Sequence, residues 1–457
     1  MTVRRTSRWL TGWDPEDEEA WRRGGRRVAL RNLALSVLAE HIGFSVWTMW
    51  SVLVLFLSPE IGFAFGPDEK FLLVVVPTLV GAALRLPYSR AVTRFGGRNW
   101  TVFSCLVLFV PTLLTLWAVR RPGTPLWVFL LIGAAAGVGG GNFASSMTNI
   151  AAFFPRRHQG WALGLNAGGG NLGVAAVQLV GLLVIATAGD THPSYVVAAY
   201  LPLIALAALL AAWKMDNVDA VRAGPGTLRR AVACADTWWI SLLYVGTFGS
   251  FIGYGFAFGL VLQTQFGATP LEAAGHTFLG PLLGSLSRPL GGWLADRFGA
   301  GRVTLWNFAG MAAGTVVLLV AAGQNSLPLF TAGFTALFVL SGLGNGSTYK
   351  MIPVAFARRA EEAVTAGHDA ATAFAEARRL AGAAIAVAGA VGTLGGVAVN
   401  LAFRAAYGDG SGSGEPAFVA FLCYYALCVP MVLALRPRRG RSGAAPAAPV
   451  RREVTRV

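Results

Sequence analysis

The chain has 457 residues, 55% of them hydrophobic and only 13% charged, with a mean hydropathy of +0.57. That balance excludes a water-soluble globular domain and predicts an all-α polytopic membrane protein. The net charge of +15 would suit nucleic acid, but of 37 Lys and Arg, 30 lie in the tails and even-to-odd connections, 4 (Lys70, Arg120, Arg121, Arg404) in the opposite connections and 3 (Arg85, Arg288, Lys350) inside apolar runs. This asymmetry argues against a nucleic-acid partner and predicts that both termini face the cytoplasm, with the chain in the plasma membrane.

Apolar runs long enough to cross a ~30 Å hydrocarbon core are predicted at 33–57, 71–92, 100–119, 126–154, 160–186, 194–214, 238–262, 272–295, 303–323, 328–356, 379–402 and 416–435. The expected organisation is a cytoplasmic segment 1–31, a six-helix bundle 32–214, a polar linker 215–236 and a second bundle 237–435 with a cytoplasmic insertion at 359–379. A tail at 436–457, rich in Arg, Ala and Pro, is expected to be disordered and dispensable for turnover. No cleavable leader is expected, and Cys105, Cys234, Cys423 and Cys428 read as packing residues rather than a disulfide or metal framework.

Residues 1–31 alternate acidic (Asp14 to Glu19) and basic (Arg22 to Arg31) stretches and read as a solvated segment whose basic end meets anionic lipid headgroups. The first span holds Glu40-His41, and Glu40 is the one acid of 22 placed well inside a span. Such a carboxyl faces a cavity or partner; the other reading is a carboxylate paired with a structural arginine. The second span carries Arg85, with Arg90, Arg94 and Arg98 following in the connection, and the eighth carries Arg288 ahead of Asp296, Arg297 and Arg302. An arginine cannot discard its charge, so two buried guanidiniums with at most one carboxylate for company leave a deficit that an anion fills. A planar oxyanion suits the guanidinium fork.

The fourth span contains Gly137 to Pro155, dense in Gly, Asn and Ser, and the tenth repeats the pattern from Ser341 to Pro353. Gly141-Asn142 and Gly344-Asn345 are 203 residues apart, as are Arg85 and Arg288, so the chain is an internal duplication. Small residues permit close helix approach, while buried amides and hydroxyls offer uncharged hydrogen bonds. In the fifth span, which also holds Asn166, the glycine-rich face and Asn171 are expected to lie across from Phe143 and the first signature. In the seventh, Tyr244, Phe248 and Phe251 share a helix face, where packing and stacking on a flat anion are equally open readings. Lys350 places a third cation in the tenth span, and 359–379 is expected to form a short surface helix in solvent.

Arg288-Pro-Leu-Gly-Gly-Trp-Leu-Ala-Asp296-Arg297-Phe-Gly299 resembles the cytoplasmic loop motif of the major facilitator superfamily, whose acid and arginines latch helix ends. In the first copy Ser89 and Thr93 replace the Gly and Asp, which weakens any latch there. With the paired glycine-asparagine signatures and paired arginines, residues 30–435 resemble the nitrate/nitrite porter (NarK-type) family of that superfamily. The resemblance implies twelve helices in two pseudo-symmetric six-helix bundles rocking about a midplane site. It implies that Arg85 and Arg288 grip nitrate or nitrite, with Asn171, Tyr244, Phe143 and Phe248 shaping the pocket around the signature residues Gly141, Asn142, Gly344 and Asn345. Glu40, His41, Lys350, Asp296 and Arg297 are candidates for coupling or gating. The expected activity is transport by a monomer without cofactors, exchanging nitrate for nitrite. Proton symport is the alternative, and a non-transporting nitrate receptor is disfavoured by the short cytoplasmic segments.

Overall fold

A computed structural model of the chain describes residues 4–6, 8–219, 226–408 and 412–435. The C-terminal tail and Arg222 of the linker lie outside the described residues. The helical stretches are α1 (Glu18–Phe56), α2 (Pro67–Phe95), α3 (Gly97–Ala118), α4 (Leu126–Phe153), α5 (Arg157–Ala188), α6 (Pro193–Lys214) and α7 (Ala235–Phe266). They continue as α8 (Leu279–Phe298, entered through the helix Pro270–Thr277), α9 (Ala300–Gly323), α10 (Leu327–Thr365), α11 (Ala370–Gly408) and α12 (Glu415–Leu435). Eleven are long and apolar enough to cross a membrane. The eighth stretch is the exception, since Arg288, Asp296 and Arg297 share α8 with several Gly and Ser.

Two expectations are corrected at the end of the molecule that carries the linker. The insertion 359–379 is not a separate surface helix: α10 continues to Thr365 and α11 starts at Ala370, so the two spans extend beyond the bundle as a helical hairpin. Alanine, glutamate and arginine dominate both extensions and favour helix wherever the chain leaves lipid. The turn is made by Gly367, with φ +93°, and by Asp369, whose carboxylate accepts from the Thr372 amide at 2.8 Å. Arg359 ties the α10 extension to Asp236 at the start of α7 at 2.6 Å.

The N-terminal segment is not simply solvated either. β1 (Arg4–Thr6) and β2 (Trp9–Thr11) form an antiparallel pair, and β3 (Asn217–Val218) of the linker adds in parallel, Trp9 opposite Asn217 and Leu10 opposite Val218. Trp13 and Trp21 are buried against Phe153 and Phe154 at the end of α4, with ring centroids 5.7 and 5.8 Å apart. Burying the two indoles anchors the segment while its charged side chains, such as Glu18, Glu19, Arg22 and Arg23, stay in solvent. Asp216 of the linker is buried, paired with Arg31, and accepts from Asn32 Nδ2 at 3.1 Å.

Glycines set how closely the helices approach. A Cβ on Gly139 would stand 2.2 Å from the Gly43 carbonyl oxygen of α1, and one on Gly342, its repeat equivalent, 2.0 Å from the Gly284 carbonyl oxygen of α8. The two halves meet through α2 on α11, α5 on α8, and α1 and α2 on α7. At the end away from the linker, Phe71 stacks on Tyr407 at 5.5 Å with rings 2° from parallel. Mid-bundle, Gln178 Nε2 donates to the Gly255 carbonyl at 2.8 Å.

Candidate functional site

Close approach of α1 and α4 to α2 is what buries Arg85. A side chain on Gly81 or on Gly140 would meet the Trp47 ring at 2.7 Å, and the Trp47 indole donates to the Pro77 carbonyl at 2.7 Å. Arg85 is fully buried. Its Nη1 donates to the Gly389 carbonyl of α11 at 3.1 Å, so an arginine of the first half reaches a backbone of the second. Its guanidinium lies 4.5 Å from the Phe143 ring centroid and 4.9 Å from that of Phe248.

Arg288 approaches the same two rings from α8, 5.8 Å from each centroid, and lies 5.6 Å from Tyr349. Its Nη2 donates to the Tyr244 hydroxyl at 3.1 Å. Tyr244 and Phe248 stack at 5.1 Å, 4° from parallel, and Phe143 meets Phe248 at 5.9 Å. A π-helical turn at Val245–Gly249 lies within α7 here, a distortion common where a helix serves a site. The expected face of Tyr244, Phe248 and Phe251 therefore exists; its rings stack on one another, and Phe248 lies beneath both guanidiniums.

The electrostatic deficit is visible atom by atom. Arg85 Nε and Nη2 and Arg288 Nη1 are buried with no hydrogen-bond partner, and neither guanidinium is within ion-pair distance of a carboxylate among the described residues. A buried donor without a partner costs about 1–3 kcal/mol, more when charged. Three such donors beside apolar ring faces are complementary to a small flat anion, whose oxygens accept and whose plane lies against a ring.

Other predicted residues lie elsewhere. Gly141 packs α4 on α2, where a Cβ would stand 3.1 Å from Leu84 and Tyr88, and Gly344 packs α10 against Thr247 and Asn307. Asn142 accepts from Ser104 at 3.2 Å and Ser145 at 3.0 Å, and so ties α4 to α3. Asn171 and Asn345 are fully buried with both amide atoms unpartnered. It is Asn166, not Asn171, that meets the first signature, donating to Ser146 at 2.9 Å and lying 3.6 Å from the Met147 sulfur. Lys350 is not a third cation in the site: it pairs with Asp296 at 2.6 Å, both side chains substantially exposed. Its long stem carries the ammonium towards water. Arg297 lies over Trp293 and Phe298.

Among the described residues Glu40 has no arginine within ion-pair distance, contrary to one of the two readings. It is fully buried, and its Oε2 accepts from Ser146 Oγ and from Asn166 Nδ2 at 2.7 Å. His41 Nδ1 donates to the Gly169 carbonyl at 3.2 Å, which fixes its tautomer because a carbonyl only accepts. Tyr349 and Ser146 were the residues that motif reading passed over. They stand 203 residues apart, so the repeat itself carried the signal.

Residues 42–399 match the family model of the Major Facilitator Superfamily. The chain is 39% identical over 450 residues to the nitrate/nitrite transporter NarU of Salmonella typhimurium, covering 94% of this chain and 96% of that protein. It is 34% identical over 378 residues to the probable nitrate/nitrite antiporter NarK2 of Thermus thermophilus, covering 77% and 84%. Among solved structures, a bacterial homologue of the human lysosomal transporter Spinster, inward-facing and unoccupied, superposes with a TM-score of 0.63 at 15% identity, covering 89% of this chain and 96% of that one. The xylose transporter XylE from E. coli, partially occluded and inward-open, gives 0.64 at 14% identity, covering 90% and 98%. At those identities the likeness to the solved structures is one of fold.

Proposed function

Because the chain belongs to the nitrate/nitrite porter family of the major facilitator superfamily, we propose that it exchanges nitrate for nitrite across the plasma membrane by alternating access. One observation carries the reading. Arg85 and Arg288, one from each half, flank the same two phenyl rings and keep three guanidinium nitrogens without an acceptor. Nitrate and nitrite are flat monoanions, so two oxygens of either can be met by the forked donors while Phe143 or Phe248 covers a face. In this proposal Tyr244 orients Arg288, and Asn171 and Asn345 line the route to the site or its edge.

Exchange follows from charge. Entry of a monoanion into a cell held at about −100 mV costs ~2.3 kcal/mol, so uptake requires an anion leaving or a cation entering. Without an anion, moving both arginines through a closed intermediate presses two like charges together at low dielectric, which blocks the return of the empty carrier. With an anion bound the charges are offset, and the loaded carrier reorients. The name of the Thermus thermophilus relative, a probable antiporter, supports this mode.

In the same reading the chain works as a monomer with both termini in the cytoplasm, and the basic face of Arg22, Arg23, Arg26 and Arg27 rests on anionic headgroups. The Lys350–Asp296 pair acts at the cytoplasmic gate. Counterflow in proteoliposomes tests the proposal: labelled nitrate should enter vesicles preloaded with nitrite and not vesicles loaded with chloride. Equal entry into both would sink obligatory exchange.

A further inference from the structure

Glu40 is a buried carboxyl that anion gripping does not use. Its pocket treats its two oxygens differently. Oε2 accepts from Ser146 Oγ and from Asn166 Nδ2, which are themselves joined at 2.9 Å. Oε1 is buried with no partner and faces Gly170, where a Cβ would stand 2.3 Å away. Both groups that touch Glu40 by hydrogen bonding are neutral. A carboxylate spreads its charge over two oxygens and seeks donors at each, whereas a carboxylic acid has one accepting oxygen and one hydroxyl. Here donors meet one oxygen only, so a negative charge on the other is left without a hydrogen bond.

Ser146, which donates to Glu40, also lies 3.0 Å from the Phe143 carbonyl oxygen, and the Phe143 ring carries the guanidiniums of Arg85 of α2 and Arg288 of α8, so the two cations of the anion site stand one residue beyond the carboxyl's own partner. The Tyr349 phenol of α10 is also in electrostatic reach. Among the described residues, the hydrogen bonds that α4 and α5 give the carboxyl come from Ser146 and Asn166, Gly170 packs against it, and His41 on α1 is turned to the Gly169 carbonyl. The ionised form of Glu40 therefore depends on the same positive charge that an anion offsets. Leu243 occupies the equivalent place 203 residues later, so the second half offers no matching carboxyl.

We propose that Glu40 is a proton-binding site coupled to the anion site, so that binding of nitrate draws a proton from solvent onto its carboxyl. The inference rests on the nitrate reading above. Coupling is reciprocal: a neutral Glu40 removes a negative charge that competes with the anion, and so tightens anion binding. In exchange of nitrate for nitrite the proton rides in both directions and cancels, so the coupling shows in binding rather than in counterflow.

The test is calorimetric titration of the purified full-length protein with nitrate, at matched pH in two buffers of different ionisation heat, for wild type and Glu40→Gln. Wild type should take up a fraction of a proton per nitrate that rises to a maximum within one pH window and falls on either side of it. Its nitrate Kd should weaken by up to about tenfold per pH unit there. Glu40→Gln should bind nitrate with no proton uptake and no such pH dependence. Ser146→Ala removes a donor to the ionised form and should move the uptake window to higher pH, which keeps the test decisive if Glu40→Gln fails to fold. Nitrate binding by wild type without proton uptake at any pH where the protein stays folded would overturn the inference, as would unchanged uptake in Glu40→Gln. Absence of nitrate binding by folded wild type would instead overturn the anion-site reading itself.

Discussion

Arg404 of α11 grips Asp68 of α2 with two parallel hydrogen bonds, Nε to Oδ1 at 2.8 Å and Nη2 to Oδ2 at 3.1 Å. The pair joins the two halves at the end away from the linker, one turn from the Phe71–Tyr407 stack. Both side chains are part exposed, so the pair is worth only ~0.2–1 kcal/mol. That is enough to shift a two-state equilibrium by a few-fold. Asp68→Asn should raise the labelling rate of a cysteine placed near this end by about that factor, and the charge-swapped double variant should restore it in part. No change in labelling for Asp68→Asn would show that the pair does not hold this end closed.

Arg85→Lys and Arg288→Lys should each leave the protein folded while removing nitrate exchange. Lysine keeps the charge and loses the fork, at a cost of ~1.5–3 kcal/mol for each charge-assisted hydrogen bond lost, or roughly ten- to a hundredfold in affinity. Size-exclusion and thermal melting establish the fold, and counterflow reads the activity. Near-normal exchange by either variant contradicts the two-arginine grip.

Glu40→Gln should leave nitrate/nitrite counterflow largely intact, since exchange needs no net proton movement. Wild-type counterflow should likewise depend little on an imposed pH gradient. Accumulation of nitrate driven by an inward proton gradient in nitrite-free vesicles, lost in Glu40→Gln, would establish symport in place of exchange.

Gly139→Val should abolish folding or lower the melting temperature sharply. Its Cβ would lie 2.2 Å from a backbone oxygen of α1, which cannot move without separating the two helices. Overpacking of this kind costs about 1–3 kcal/mol or more. Gly160→Val, where a Cβ meets nothing, is the matched control and should melt near wild type.

The turn between α10 and α11 should weaken in acid. The hydrogen bond from the Thr372 amide, with that from its hydroxyl, holds the Asp369 carboxyl below its usual range. A depressed carboxyl contributes stability above its unfolded value that is lost as pH falls through its folded one. Hydrogen exchange at Thr372 should therefore accelerate, relative to neighbouring amides, as pH drops below the ordinary aspartate range, and Asp369→Asn should flatten that response.

Periodicity and charge placement were enough, by themselves, to determine the span count, the internal duplication and the two arginines. Lipid permits few polar groups, and those it does permit stand out in one dimension. The same constraint made Glu40 visible as an outlier. What became of each polar residue was decided in three dimensions. The glycine-asparagine signatures look like ligand sites in sequence, yet Gly141, Gly344 and Asn142 serve helix contacts, because a small residue that admits a ligand equally admits a neighbouring backbone. Lys350 read as buried but reaches Asp296 near the surface, since a four-carbon stem spans more than a helical turn. The shared Phe143–Phe248 platform and the Glu40–Ser146–Asn166 cluster each join residues from different helices. No local pattern encodes such meetings; they arise from how glycine-lined helices close on one another.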